Sequence, residues 1–104
     1  MLPSQTPEAR AAALQKAASA RQTRALVKHR LKFGGGSITE IMMQGQADDA
    51  IGRMKVTALL QSMPGIGKVT AQTIMESLGI AHNRRVRGLG VQQMRAIANY
   101  FEGA

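Results

Sequence analysis

Leu60-Gln61-Ser62-Met63-Pro64-Gly65-Ile66-Gly67-Lys68-Val69-Thr70-Ala71 decides how this chain folds. It reads as the end of one helix, a tight glycine hairpin and the start of a second helix. Pro64 stops the first helix because it has no amide proton and its ring clashes with the preceding turn. Gly65 and Gly67 are expected to supply the positive φ and close approach of a hairpin. Lys68-Val69-Thr70-Ala71 then restarts helical periodicity toward Ile74. The first N–H groups of the new helix have no intrahelical acceptor. They face an anion such as a phosphate, and Lys68 adds a full charge beside Thr70 in the same turn.

A Pro-Gly-x-Gly stretch is also the sequence of a plain tight corner. Its setting separates the two readings: the chain carries 14 Lys and Arg against 6 Asp and Glu, a formal net charge of +8 and a pI near 11.2. Such a balance favours a polyanion, DNA or RNA ahead of an anionic membrane. Motif and charge together point to binding of a nucleic-acid backbone.

Composition narrows the class further. At 104 residues the chain makes one small domain, or a smaller domain plus an appendage, and is too short for a large enzyme core. Phe33, Tyr100 and Phe101 are its three aromatic residues and Trp is absent. The core must therefore come from Leu, Ile, Val, Met and Ala, and a base-stacking platform is disfavoured. Without Cys there is no disulfide framework and no thiol nucleophile. Met1-Leu2-Pro3-Ser4-Gln5-Thr6-Pro7 lacks the charged start and apolar run of a signal peptide, and no apolar stretch nears the roughly 18 residues of a membrane span. A cytoplasmic location, with no membrane partner, is the expectation.

Ahead of the hairpin, Thr6-Pro7-Glu8 is a helix start, with Thr6 as cap, Pro7 at the first helical position and Glu8 complementing the dipole. One long helix is expected from Glu8 to about Lys32. Its first half offers mostly Ala9, Ala12, Ala13 and Ala17, whereas Leu26, Val27 and Leu31 should dock the second half on the core, leaving the first to project. Arg10, Arg21 and Lys32 recur every eleven residues, close to three helical turns, and Arg24 and Lys28 lie on or beside the same side. No acid falls between Lys16 and Lys32, so the stripe reads as a nucleic-acid face and not as a mixed solvated one.

Gly34-Gly35-Gly36 is expected to end this helix as a flexible joint. Ser37-Ile38-Thr39-Glu40 is a capping box that opens a second helix to about Ala47. Asp48 to Lys55 reads as a turn region whose acids cap the next segment. Val56, Leu59, Leu60 and Met63 give a third helix. After the hairpin a fourth runs from Lys68 to Leu78, with Val69, Ile74, Met75 and Leu78 inward and Gly79 as its C-terminal glycine. Ile80 packs back, Ala81 to Gly90 forms a loop, and Met94, Ile97, Ala98 and Phe101 mark a last helix from Val91. No segment alternates as a strand does. The expected fold is all-α: a long basic N-terminal helix (1–33), partly projecting, followed by a compact helix-two-turns-helix domain (34–104) that contains the helix-hairpin-helix.

Met54-Lys55-Val56-Thr57-Ala58-Leu59-Leu60-Gln61-Ser62-Met63-Pro64-Gly65-Ile66-Gly67-Lys68-Val69, with Ile74-Met75-Glu76-Ser77-Leu78-Gly79-Ile80 and Arg84-Arg85-Val86-Arg87-Gly88-Leu89-Gly90, resembles the actinobacterial integration host factor family. The Ala-rich basic first helix and the Ser37 box match as well, so the resemblance spans nearly the whole chain. It departs from the family pattern at Met42 or Met43, where a Lys is usual, and at Ala81-His82-Asn83. The resemblance implies a nucleoid-associated, monomeric protein that binds duplex DNA with little sequence preference, bends or constrains it, and assists phage integrase in site-specific recombination. It places DNA contacts at Pro64, Gly65, Ile66, Gly67, Lys68 and Thr70, at Arg84, Arg85, Arg87 and Gly88, and at Arg10, Arg21, Arg24, Lys28 and Lys32. The minor-groove architectural protein that shares the family's name is built on a β-ribbon, and nothing in this sequence suggests that fold.

Two other readings fit less well. A small-subunit ribosomal head protein shares the hairpin, but such proteins end in a long basic tail, whereas this chain ends Asn99-Tyr100-Phe101-Glu102-Gly103-Ala104. A DNA glycosylase or lyase needs either an Asp soon after the hairpin, where the next acid is Glu76, or an N-terminal Pro followed by Glu together with a zinc finger. No enzyme, catalytic residue, cofactor or metal is expected. His29 and His82 stand apart from any ligand set, and capping accounts for Asp48 and Asp49 better than acid-base chemistry does. The seven Met are core filler, with Met42 and Met43 as the two that suit a partner surface.

Overall fold

The computed structural model describes residues 6–103; Met1 to Gln5, on which much of the reading of the N-terminus rests, and Ala104 lie outside them. Among the described residues, six α-helices and one 3-10 turn follow in order: α1 (Pro7–Phe33), α2 (Ile38–Gln44), α3 (Asp49–Gly52), α4 (Val56–Gln61), α5 (Lys68–Ser77), the 3-10 turn (Val86–Gly88) and α6 (Val91–Glu102). The fold is helical, as the periodicity predicts. No helix among the described residues is long and apolar enough to cross a membrane.

Local chemistry sets the boundaries. The Thr6 hydroxyl accepts from the Ala9 N–H at 3.0 Å, Pro7 follows it, and Gly34 ends α1 in the left-handed region at φ 80°. At 27 residues α1 is about 40 Å long, and it sets the 50 Å long axis of the molecule. The glycine joint after it is tied down: Gly35 donates to the Arg30 carbonyl at 2.8 Å, and Arg30 Nε returns a bond to the Gly35 carbonyl at 3.2 Å. Half of the expected capping box forms. Ser37 Oγ accepts from the Glu40 N–H, while the Glu40 carboxylate turns to Arg30 at 3.9 Å.

The core is aliphatic. Ile38, Ile41 and Met42 of α2, Val56, Leu59 and Leu60 of α4, and Ala71, Ile74 and Met75 of α5 meet Ile51, Met54, Ile80, Val86, Leu89 and Ile97. Val27 and Leu31 attach the end of α1 to it, while Leu26 and Phe33 face solvent. Every residue from Pro7 to Ala17 is exposed. Of the two methionines considered for a partner surface, Met42 is core and Met43 is exposed.

Several expectations are corrected. Val69 is exposed, because the buried row of α5 runs Ala71, Ile74, Met75, with Leu78 half-buried after its end, and a residue two positions before Ala71 lies on the opposite side of a 3.6-residue helix. α2 stops at Gln44 and not near Ala47, and the region read as turn contains α3, capped by the Asp48 carboxylate on the Ile51 N–H at 3.1 Å.

Both of these changes serve one crowded point. A Cβ on Gly45 would sit 2.5 Å from Val86 Cγ1, and a Cβ on Gly52 would sit 2.5 Å from the Gly45 carbonyl oxygen. The chain can pass under the 3-10 turn only where it has no side chain. Gly52→Ala must therefore displace backbone and should cost about 1–3 kcal/mol. A Cβ on Gly67 meets nothing within 4 Å, so Gly67→Ala should change stability by less than about 1 kcal/mol, the lower entropy of the unfolded chain offsetting Ala's poorer performance as a helix cap; urea unfolding of both variants measures the contrast.

Candidate nucleic-acid interface

The hairpin is built as a turn followed by an open helix start. Ile66 N–H donates to the Met63 carbonyl at 3.2 Å across Pro64 and Gly65, with Gly65 at φ 78°, in the manner of a type II turn. Gly67 does not need glycine's freedom, contrary to expectation: it is extended at φ −90°, ψ −178°. Its value is what it lacks. As the residue capping α5 it offers no side-chain acceptor, so the N–H groups of Lys68, Val69 and Thr70 are left without a helical partner, and Ala71 is the first to bond back, to the Gly67 carbonyl at 2.9 Å. Pro64, Gly65, Gly67, Lys68 and Thr70 are exposed and Ile66 is half-buried against the core. An anion has open access to the amides.

The second element is the arginine loop. Lys55 and Arg85 form an isolated antiparallel bridge, in which Val56 N–H donates to the Arg84 carbonyl and Val86 N–H to the Met54 carbonyl, each at 2.9 Å. Val86 is thereby buried, and its three arginine neighbours are sent to different places. Arg84 folds back over Gly88, donating from Nη1 to the Gly88 carbonyl at 3.3 Å, with its Nε buried and unpartnered. Arg85 donates to the Arg53 carbonyl and stays exposed. Arg87 pairs with Asp49 at 2.7 Å. Gly88 is exposed.

Arg85 opens onto a concavity of about 300 Å³ lined by Arg24, Lys28, Arg53, Met54, Lys55, Ala58 and Arg85. Five cations and no carboxylate surround it. The structure thus joins two of the helix-stripe residues, Arg24 and Lys28, to the arginine loop. Sequence reasoning missed Arg53 and Lys55. Their signal was the alternation Arg53, Met54, Lys55, Val56, in which the apolar pair is buried and the basic pair exposed. A larger groove of about 660 Å³ runs between α1 and the start of α3, with Lys16, Arg21, Arg24 and Arg53 facing Asp48 and Asp49. Arg10 and Lys32 are exposed on α1 and line neither hollow; Lys32 Nζ stands 5.7 Å from the Phe33 ring. The hairpin lines neither as well.

Chain-wide similarity agrees with this geometry. An integration host factor from Streptomyces coelicolor is 59% identical over 100 residues, covering 96% of this chain and 94% of the relative. The protein of the same name from Mycobacterium tuberculosis is 50% identical over 103 residues, with 99% and 98% covered. The chain belongs to the integration host factor family. The family described as the S13-like H2TH domain matches residues 31–101, which leaves nearly all of α1 outside that match, whereas the full-length integration host factors align along α1 too. A solved structure described as sIHF bound to an 8-bp palindromic DNA superposes with a TM-score of 0.81 at 56% identity, covering 84% of this chain and 98% of that one.

The two histidines have local partners. His82 lies 2.9 Å from Glu76, and His29 packs beside Phe33 with ring centroids 4.6 Å apart and the rings tilted by 47°. No group of three or more His, Asp or Glu that could hold a metal occurs among the described residues. Asp49 is held below the ordinary carboxylate value of 3.8, chiefly by its hydrogen bond from Arg87; desolvation opposes this, and the charges of Arg53, Arg87 and Lys16 lower it further. A lowered folded-state pKa means its contribution is present above the unfolded value and lost as pH falls through the folded one. The melting temperature of the wild-type chain should therefore drop more steeply below about pH 4 than that of Asp49→Asn, as thermal melts from pH 7 to pH 2 will measure.

Proposed function

We propose that this protein is a non-enzymatic, monomeric, nucleoid-associated DNA-binding protein that grips duplex backbone with little sequence preference, bends or constrains it, and assists phage integrase-mediated recombination and chromosome organisation. The observation that carries the reading is the Pro64–Lys68 turn, where three free amides and an unpaired lysine meet solvent with no side chain in the way. Relatives named for integration and a fold neighbour bound to DNA support it. In this reading the segment 34–104 carries the hairpin and the arginine loop, and α1, within the segment 1–33, reaches along the duplex as a basic arm.

The physical case rests on two separated contacts. Hairpin amides hold one phosphate run, and the cationic hollow of Arg24, Lys28, Arg53, Lys55 and Arg85 takes another. A rigid body with two such contacts holds a duplex bent when their sum exceeds a deformation cost of about 1–6 kcal/mol. Few exposed side chains here suit base-edge readout, so backbone contacts set the affinity and specificity is low.

A salt titration against random-sequence duplex, with a small-subunit rRNA head fragment as competitor, tests the reading. With about 6 phosphates neutralised, log affinity should fall with log salt at a slope near −5, and rRNA should displace little of the protein. Preferential binding of the rRNA would overturn it. Pro64→Ala with Gly67→Ala should weaken duplex binding more than tenfold, about 1.4 kcal/mol, at unchanged helicity, while Lys55→Ala with Arg85→Ala should make the slope shallower by about 2.

A further inference from the structure

Asp49 is the acid that the basic surface does not account for. Glu8 lies in the first turn of α1, Glu40 faces Arg30, Glu76 faces His82, Glu102 accepts from the Thr39 N–H, and Asp48 caps α3. Asp49 instead stands between two arginines, with Oδ2 3.1 Å from Arg53 Nε and Oδ1 2.7 Å from Arg87 Nη2. Each oxygen serves one guanidinium, as two oxygens of a phosphate would. Arg53 is also a wall of the cationic hollow, so the carboxylate lies where that hollow meets the α1–α3 groove.

We propose that Asp49 is an internal stand-in for a DNA phosphate, bridging Arg53 and Arg87 in the free protein and releasing both guanidiniums to the duplex, so that this one carboxylate limits affinity. Three observations support an affinity-setting role over a merely structural one. The partners are substantially exposed, with side-chain exposures of 72% for Arg53, 49% for Arg87 and 46% for Asp49, so the pairs are screened and exchangeable. The Arg87 stem packs over Gly52, its Nε and Cβ 3.0 and 3.3 Å from where a Cβ on that glycine would be, a contact that does not involve the carboxylate. The start of α3 does not depend on Asp49, since Asp48 already caps it.

The inference rests on the proposed duplex binding, and the test separates the two. Full-length wild type, Asp49→Asn and Glu76→Gln are compared on random-sequence duplex at one salt concentration; Glu76→Gln makes the same change in net charge at an acid that contacts no arginine. Failure of the wild type to bind would sink the DNA-binding reading itself. If the wild type binds, Asp49→Asn should bind about three- to tenfold tighter, a gain of about 0.6–1.4 kcal/mol, Glu76→Gln should gain less, and the Asp49→Asn gain should vanish when Arg87→Ala and Arg53→Ala are added. An Asp49→Asn chain that binds no tighter than Glu76→Gln, or keeps its gain without the two arginines, overturns the proposal. A readout free of mutation accompanies it: the side-chain Nε–H NMR signals of Arg53 and Arg87 in the wild type should shift on adding duplex, and their staying still overturns it too.

Discussion

The pairing of Met54–Val56 with Arg84–Val86 sets where the basic side chains around the cationic hollow point. Two main-chain hydrogen bonds of 2.9 Å bring a loop of consecutive arginines down onto the entrance of α4. Neither bond alone is worth more than about 1 kcal/mol net. Their effect is positional, because they bury Val86 against Gly45 and Ile51, and alternate side chains around a buried residue have to point outward. Arg85 and Lys55 emerge side by side for this reason, and Arg87 emerges over α3.

Two kinds of anion-attracting surface follow from one small fold. At the hairpin the attraction comes from oriented amides and a single lysine, which favours close and geometrically defined contact. In the hollow beneath α1 it comes from flexible, fully charged side chains gathered from four parts of the sequence: α1, the end of α3, the entrance to α4 and the arginine loop. Crowding five cations without an acid raises the energy of the free protein through mutual repulsion. Asp49 offsets that repulsion at the edge of the cluster, and a bound polyanion would offset it throughout.

The aliphatic core fits this division of labour. With almost no aromatic volume available, packing relies on Ile, Leu, Val and Met interdigitating at short range, so glycines become spacers where two backbone segments must nearly touch. Gly45 and Gly52 have that role. Gly65 has a different one, the positive φ of the turn, and Gly67 a third, leaving the approach to the amides unobstructed.

What the sequence determined by itself is whatever depends on near neighbours. Helix starts at Thr6 and Ser37, the stop at Pro64, the turn at Gly65 and the glycine end at Gly79 are local chemistry, and they were legible as such; so was the hairpin, whose unpartnered amides come from a helix start and nothing more distant. The apolar period placed most of the core, failing at Val69 and Leu26, where hydrophobicity suggested burial but the angular position on the helix did not allow it. Tertiary structure alone decided which arginines share a site. Arg53 and Arg85 are 32 residues apart, and only the bridge across Met54 and Val86 brings them together. The same contact sent Arg84 inward and gave Arg87 an acid partner, because a side chain's charge is written in its residue type but its neighbours are set by how distant backbone segments pair.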